Sequence, residues 1–177
     1  MIYSIIFGFF CLVSILILFW IATSFFGLVA TRVPFVRTTQ KDLEMIFERI
    51  SLNKSDLFLD LGSGDGRVAL YVCARFNSQA AGYEAALWAV LVSRIKAFFY
   101  KANAVFYNRD FFKHSWKSAT VIYCYLYPPI MPLIAKKAKA DCRPGTIIIA
   151  RDFPITELDQ TDYFRTTGNH EVFVYKI

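Results

Sequence analysis

The sequence predicts an α/β protein with a Rossmann-like, mostly parallel sheet and a C-terminal antiparallel hairpin, preceded by one transmembrane helix. An uncharged apolar run opens the chain, short apolar strands then alternate with helices, and two strand-like segments close it. Strand–helix alternation favours a parallel sheet covered on both faces. We therefore expect an anchor (1–31), a connector with a first helix (32–52) and an α/β domain (53–177).

The opening segment has the composition of a membrane anchor. No charged residue precedes Arg32, and residues 2–30 are rich in Ile, Leu, Val and Phe. A helix of about 20 apolar residues spans a bilayer, whereas a cleaved signal peptide would have a basic start and a shorter apolar core. Because Arg32, Arg37 and Lys41 follow the run, we expect a single-pass protein whose domain faces the cytoplasmic side of a bacterial inner membrane or an organelle membrane.

Charge and cysteine content narrow the classes of partner. The 177 residues carry a net charge of +6, but their basic residues are scattered. We therefore expect an anionic membrane surface rather than nucleic acid as the partner. The four cysteines form no C-x-x-C pair and only two histidines are present, so we expect no metal site.

A first helix follows Thr39. Residues 39–42 resemble a capping box with Asp in place of Glu, and Leu43, Ile46, Phe47 and Ile50 recur at helical spacing. Apolar runs then predict strands at 56–61, 80–84, 104–107, 119–125 and 146–150. The segments between them predict helices at 67–76, 87–101 and 128–140, the last opened by prolines. Segments 163–167 and 171–175, joined through Gly168-Asn169, predict a hairpin.

The segment 60–67 (DLGSGDGR) carries the clearest chemical signal. It lies between a predicted strand and a predicted helix, and its glycines let the backbone approach a ligand closely. A dinucleotide fingerprint would need a glycine where Arg67 stands. Asp60 and Asp65 would repel a pyrophosphate but suit the ammonium and sulfonium of S-adenosylmethionine. We therefore assign cofactor contacts to Asp60, Gly62, Ser63, Gly64, Asp65 and Gly66.

Three later segments extend this predicted site. Glu84 ends the second strand, where an acid can accept both ribose hydroxyls. Asp110 follows the third strand and can bind the adenine amino group, with Phe111 against the ring, although 108–110 also suits a turn. Tyr125 ends the fourth strand and is our candidate for the substrate channel, where aromatic rings can surround an amine; an amphipathic strand edge is the alternative.

From Pro34 to about Tyr175 the chain resembles the membrane-anchored, seven-β-strand lysine methyltransferases. Mitochondrial members of that family modify the ADP/ATP carrier and the c-subunit of ATP synthase. The shared features follow an apolar N-terminal segment and are, in order, Pro34-Phe35-Val36, the loop 60–67, Gly82-Tyr83-Glu84, Trp88, Ser93-Arg94, Asp110-Phe111, and Arg151 with Phe153-Pro154.

The resemblance implies a class I methyltransferase fold, S-adenosylmethionine as cofactor and a lysine of a membrane-associated protein as acceptor. Two departures concern the acceptor rather than the cofactor: Ala85-Ala86 replaces the usual Asn-Pro, and Asp152 stands between Arg151 and Phe153. One alternative is methylation of a small or lipid-like molecule. Others are an inactive cofactor-binding scaffold and, least favoured, an NAD-dependent oxidoreductase.

Overall fold

The computed structural model of the protein describes residues 2–31 and 37–177. Arg32 and the segment Pro34-Phe35-Val36 lie outside the described residues. Helices in chain order are α1 (Ile2–Thr31), α2 (Gln40–Arg49), α3 (Arg67–Phe76), α4 (Leu87–Phe99) and α5 (Met131–Asp141). Strands are β1 (Leu57–Leu61), β2 (Gln79–Tyr83), β3 (Ala104–Tyr107), β4 (Val121–Cys124), β5 (Ile147–Arg151), β6 (Gln160–Arg165) and β7 (Glu171–Lys176). Single 3-10 turns occupy Phe111–Lys113 and Pro128–Ile130.

The seven strands form one sheet in the order β3-β2-β1-β4-β5-β7-β6. Strands β1 to β5 pair in parallel, and β7 lies antiparallel to both β5 and β6. After β3 the chain crosses to the other side of β1, where β4 pairs, so the strand order reverses between β1 and β4. In open α/β sheets a ligand binds beyond the carboxyl ends of the strands at such a point. The predicted mostly parallel sheet with a C-terminal antiparallel hairpin is confirmed.

Two apolar clusters cover the two faces of the sheet. One contains the buried sides of α2, α3 and α4, including Phe47, Val72 and Val90. The other contains the buried side of α5 together with Trp116 and Ile155. Within residues 37–177 no α-helix joins β3 to β4 or β5 to β6. The helical coverage of the second face is therefore smaller.

The element boundaries follow local hydrogen bonding more closely than they follow hydropathy. The first strand begins at Leu57 rather than Asp56, because the Asp56 carboxylate accepts the backbone N–H of Asn53. Ala119 belongs to a turn, where its N–H is bound by the carbonyl of Trp116. The helix predicted to reach Lys101 ends at Phe99, and Lys101 has a φ of 49°. The hairpin begins earlier than predicted, at Gln160.

Helix α1 is apolar and long enough to cross a bilayer, judged by length and composition. Residues 2–22 have a mean hydropathy of 2.9, and none of the side chains in the most apolar window is buried within the protein. The helix contacts α4, where the ring centroids of Trp20 and Trp88 lie 6.4 Å apart.

Candidate cofactor and acceptor site

The glycine loop turns sharply at the carboxyl end of β1. Gly62, Gly64 and Gly66 have φ values of 78°, 53° and 78°, in the left-handed region that favours glycine. The N–H groups of Gly62 and Ser63 both donate to the carbonyl of Tyr83 at 2.9 Å. A Cβ at Gly66 would lie 2.7 Å from atoms of Phe106 and of Ser93 on α4. The loop is therefore held tightly against β2, β3 and α4.

Glu84 lies directly beside this loop, as the sequence predicts. Its Oε2 accepts the N–H of Gly64 at 2.9 Å, and its Oε1 accepts the N–H of Ala86 at 2.8 Å. The side-chain amide of Asn108, which the sequence indicated only as a turn residue, donates to the carbonyls of Glu84 and Ala85. Each carboxylate oxygen keeps a further lone pair for a ligand hydroxyl.

Asp60 is buried beneath the loop with an unsatisfied oxygen. Its residue is 2% exposed, and its Oδ2 has no hydrogen-bond partner. Burial, and next the charge of Glu84, raise the pKa of Asp60 to about 8. The Oγ of Ser63 is also buried without a partner. Unsatisfied buried polar atoms are rare in native proteins, and an acceptor of this kind fits a cationic ligand that donates hydrogen bonds.

Asp65 differs from the other predicted residues, because its side chain is already paired. It binds Arg67 at 2.9 Å and Lys96 at 2.7 Å. Burial alone would raise its pKa, but the hydrogen bonds from Arg67 and Lys96 hold the pKa of Asp65 well below its usual range. Its charge is neutralised locally, which leaves Asp60 and Glu84 as the acids beside the loop. Any cofactor contact of Asp65 would come from its backbone.

Asp110 and Phe111 lie where β3 ends, but in turn geometry. The Oδ1 of Asp110 caps the 3-10 turn by accepting the N–H of Phe112 at 2.9 Å. The ring of Phe111 packs on Phe112, with centroids 4.6 Å apart, and on Trp116. The turn that the sequence offered as the alternative for 108–110 is present, whereas the contact of Phe111 with adenine stays a prediction. The exposed carboxylate of Asp110 leaves Oδ2 available to a ligand.

Tyr125 follows β4 and lies among charged and aromatic groups. The guanidinium of Arg151 stands 4.6 Å from the centroid of its ring, which is a cation–π contact. The rings of Phe153 and His170 each lie 6.5 Å away. Burial, and next the carboxylate of Asp152, raise the pKa of Tyr125 to about 12. Its hydroxyl is thus protonated at neutral pH. The guanidinium of Arg151 already occupies one position against its ring.

A buried ion pair lies beside the ring of Tyr125. No pattern in the sequence indicated this pair. Arg151 and Asp42 are both fully buried, and their nearest atoms are 2.9 Å apart. Thr39 caps α2 as predicted by accepting the N–H of Asp42. The Asp42 carboxylate also accepts the Thr39 hydroxyl and binds the arginine of β5. The ion pair therefore fixes the N-terminus of α2 to the end of β5.

A second polar pair lies at the same edge of the sheet. The Oδ2 of Asp152 is 2.8 Å from Nδ1 of His170, and its Oδ1 accepts the N–H of Glu171. Asp152 adopts a φ of 62°, so its position is set by this pairing rather than by backbone preference. The departure noted at Asp152 is thus part of the contact between β5 and the hairpin. Among the described residues, no group of three His, Cys, Asp or Glu side chains is placed to hold a metal ion.

Comparison with known proteins gives a consistent family. A family model for the ANTKMT methyltransferase domain matches residues 60–162. The lysine N-methyltransferase of the ATP synthase c-subunit from Mus musculus is 30% identical over 145 residues, covering 80% of this chain and 58% of that protein. The chain thus spans little more than half the length of that relative. A protein-lysine N-methyltransferase of Saccharolobus islandicus is 25% identical over 82% of this chain and 94% of its own length.

Solved structures agree on the fold. An RNA methyltransferase from Salinibacter ruber, crystallised with S-adenosyl-L-homocysteine, superposes with a TM-score of 0.76 at 23% identity, covering 80% of this chain and 94% of that one. At this identity the likeness concerns the fold alone. The resemblance drawn from the sequence motifs is confirmed at the level of the family. The chain belongs to the ANTKMT methyltransferase domain family and has the class I methyltransferase fold.

Proposed function

We propose that the chain is an S-adenosylmethionine-dependent protein-lysine N-methyltransferase that acts on a membrane-associated protein, with residues 53–177 as its catalytic domain. The observation that carries this proposal is the hydrogen bond between Glu84 and Gly64 above the buried Asp60. It joins an acid suited to ribose hydroxyls to a loop suited to close approach by a small cationic ligand. Lysine methyltransferases among the relatives support the choice of acceptor.

The residues beside the glycine loop suit the binding of S-adenosylmethionine. Glu84 is fixed by two backbone N–H groups and would accept the ribose hydroxyls through its remaining lone pairs. The unsatisfied Oδ2 of Asp60 would face the positive charge of the methionine part. Such a charge favours the ionised carboxyl and would lower the pKa of Asp60 from its raised value. Asp110 and Phe111 would hold the adenine.

Methyl transfer requires that the amine be neutral and that it be aligned with the methyl group of the cofactor. S-adenosylmethionine, when bound, supplies a methyl group to a neutral amine by in-line displacement: the C–N bond forms, the S–CH3 bond breaks, the positive charge passes from sulfur to nitrogen, and S-adenosylhomocysteine is the leaving group. Tyr125 would orient the amine by accepting one of its N–H groups at the hydroxyl oxygen, which leaves the lone pair free for the methyl group; its pKa of about 12 makes it a hydrogen-bonding group rather than a base. A lysine must lose a proton first, and we propose that solvent beside Tyr125 accepts it.

We further propose that α1 anchors this domain to a membrane as a single span, with the domain on the cytoplasmic side. Its apolar composition supports the span, and the basic residues that follow residue 31 support the orientation. Tethering would raise the effective concentration of acceptors in the same membrane. A signal sequence has similar composition, so resistance of the mature chain to alkaline extraction is the relevant measurement.

The proposal is tested with the purified full chain in lipid nanodiscs, labelled S-adenosylmethionine and isolated membranes. We expect label in membrane protein, with mass steps of one methyl group on lysine. Glu84→Gln should abolish this transfer, whereas Glu48→Gln, which alters an exposed acid on α2, should not. Label confined to the lipid extract would favour the small-molecule alternative. Cofactor binding without any transfer would favour the inactive scaffold.

A further inference from the structure

Helix α4 presents its large apolar side chains away from the sheet. The side chains that it buries are mostly small: Ala89, Val90, Ser93 and Ala97. Its outer line is exposed and contains Leu87, Leu91, Ile95, Phe98 and Phe99. Phe98 and Phe99 are 78% and 73% exposed, and Tyr100 continues the line at 71%. A helix at a protein surface normally has the opposite arrangement, and a contiguous exposed apolar patch marks an interaction site.

Along the chain, the charged residues of α4 and of the segments beside it have one sign. Between Glu84 and Asp110 the chain contains no acidic residue, whereas Arg94, Lys96, Lys101 and Arg109 are basic. Lys96 is paired with Asp65. Arg94 donates its Nε–H to the carbonyl of Phe106 at 2.9 Å. Arg94 and Lys101 line an open, largely apolar hollow together with Phe98, Phe99 and Val105. An apolar surface bordered by cations is complementary to the acyl and phosphate layers of an anionic bilayer.

The position of α1 also indicates a lipid bilayer as the partner of this surface. Trp20 of α1 contacts Trp88 of α4, and residue 20 is close to the end of the segment 2–22 that is apolar enough to span a bilayer. If α1 spans the membrane, this contact places the first turn of α4 at the level of the membrane interface. The first turn of α4 thus lies beside a helix whose apolar side chains are exposed.

We propose that the outer face of α4 lies in the interfacial region of an anionic phospholipid bilayer, with Phe98, Phe99 and Tyr100 among the acyl chains and Arg94 and Lys101 at the phosphates. This inference rests on the proposed membrane association. It extends that association from a tether to a second contact, through the catalytic domain. A second contact would further restrict the orientation of the domain relative to the bilayer.

Photo-crosslinking of the full chain tests the proposal. A benzophenone analogue of phenylalanine replaces Phe98 or Phe99 in separate variants, and each is reconstituted into vesicles of phosphatidylcholine and fluorescent phosphatidylglycerol. The matched control places the analogue at Tyr163, an exposed aromatic on β6 at the opposite edge of the sheet. A second control places it at Phe10 in α1. We expect several-fold more lipid adduct at positions 98 and 99 than at 163.

The four positions separate this inference from the proposed anchor. Lipid adduct at position 10 but not at 98 or 99 overturns the inference and leaves the anchor standing. Adduct at 98 and 99 but not at 10 supports the interfacial contact and removes the spanning helix. Equal adduct at 98, 99 and 163 overturns the inference, because contact would then be indiscriminate. A dimer-sized protein adduct without lipid also overturns it, because a second copy of the chain would then cover the face.

Discussion

Replacing Asp60 by Asn is expected to stabilise the fold while weakening cofactor binding. The amide keeps the size of the carboxyl group but cannot ionise. In the native protein the pKa of Asp60 is raised from 3.8 to about 8. The folded state therefore holds the proton of this carboxyl more tightly than the unfolded state, and the contribution of Asp60 to stability is fully present only below pH 3.8. That stability is lost progressively as the pH rises from the unfolded value of 3.8 to the folded value of about 8. At about 1.4 kcal/mol per pH unit, the loss reaches about 4 kcal/mol at pH 7 as an upper limit.

The measurement is urea unfolding of the detergent-solubilised full chain, with and without Asp60→Asn, from about pH 5 to about pH 8. We expect the stability gained by the variant to grow by about 3 kcal/mol over this range. Asp159→Asn, at an exposed acid, is the control and should show no such trend. A gain that does not change with pH, or a variant less stable at the upper end, would refute the argument from burial.

The same reasoning makes cofactor binding depend on pH. If the cofactor's positive charge lies near Asp60, binding ionises the carboxyl and releases up to one proton near pH 7. Calorimetry in two buffers with different heats of ionisation measures this proton. The Asp60→Asn variant should bind more weakly and release none. Equal proton release by both proteins would assign the titration to another group.

Three further substitutions test other parts of the site. Asp42→Asn leaves the buried Arg151 without its counter-charge and should cost about 3–5 kcal/mol of unfolding free energy; a urea midpoint close to wild type would contradict the buried pair. Gly66→Ala should cost about 1–3 kcal/mol more than Gly145→Ala, because both have positive φ but only the former meets neighbouring atoms. Tyr125→Phe should lower kcat/KM up to about tenfold with little change in unfolding midpoint; unchanged kinetics would remove its hydroxyl from the acceptor site.

Much of the fold was predictable because its signals are local. The type and order of the elements follow from apolar spacing, prolines and glycines within short windows of sequence. The contact between Gly64 and Glu84 was also within reach, since a strand–helix–strand unit fixes the distance between the ends of β1 and β2. Boundary errors of one or two residues arose where a side chain such as Asp56 bonds the backbone.

The parts of the site that were not predicted depend on contacts distant in sequence. The pairing of Asp65 with Lys96 depends on how α4 packs beside the loop. The pairing of Asp42 with Arg151 joins residues 109 positions apart, and nothing near Asp42 in sequence distinguishes a helix cap from a buried counter-ion. The exposed side of α4 could not be predicted either. The spacing of apolar residues shows that an apolar stripe exists, but it does not show whether that stripe faces the sheet.

The short connections after β3 and β5 have a consequence for turnover. Within residues 37–177, neither connection contains an α-helix that would close over the carboxyl ends of the strands. Where mobile lids are present, their opening often limits the rate. In this part of the chain neither connection supplies a helical lid, so the opening of such a lid would not set the rate of turnover.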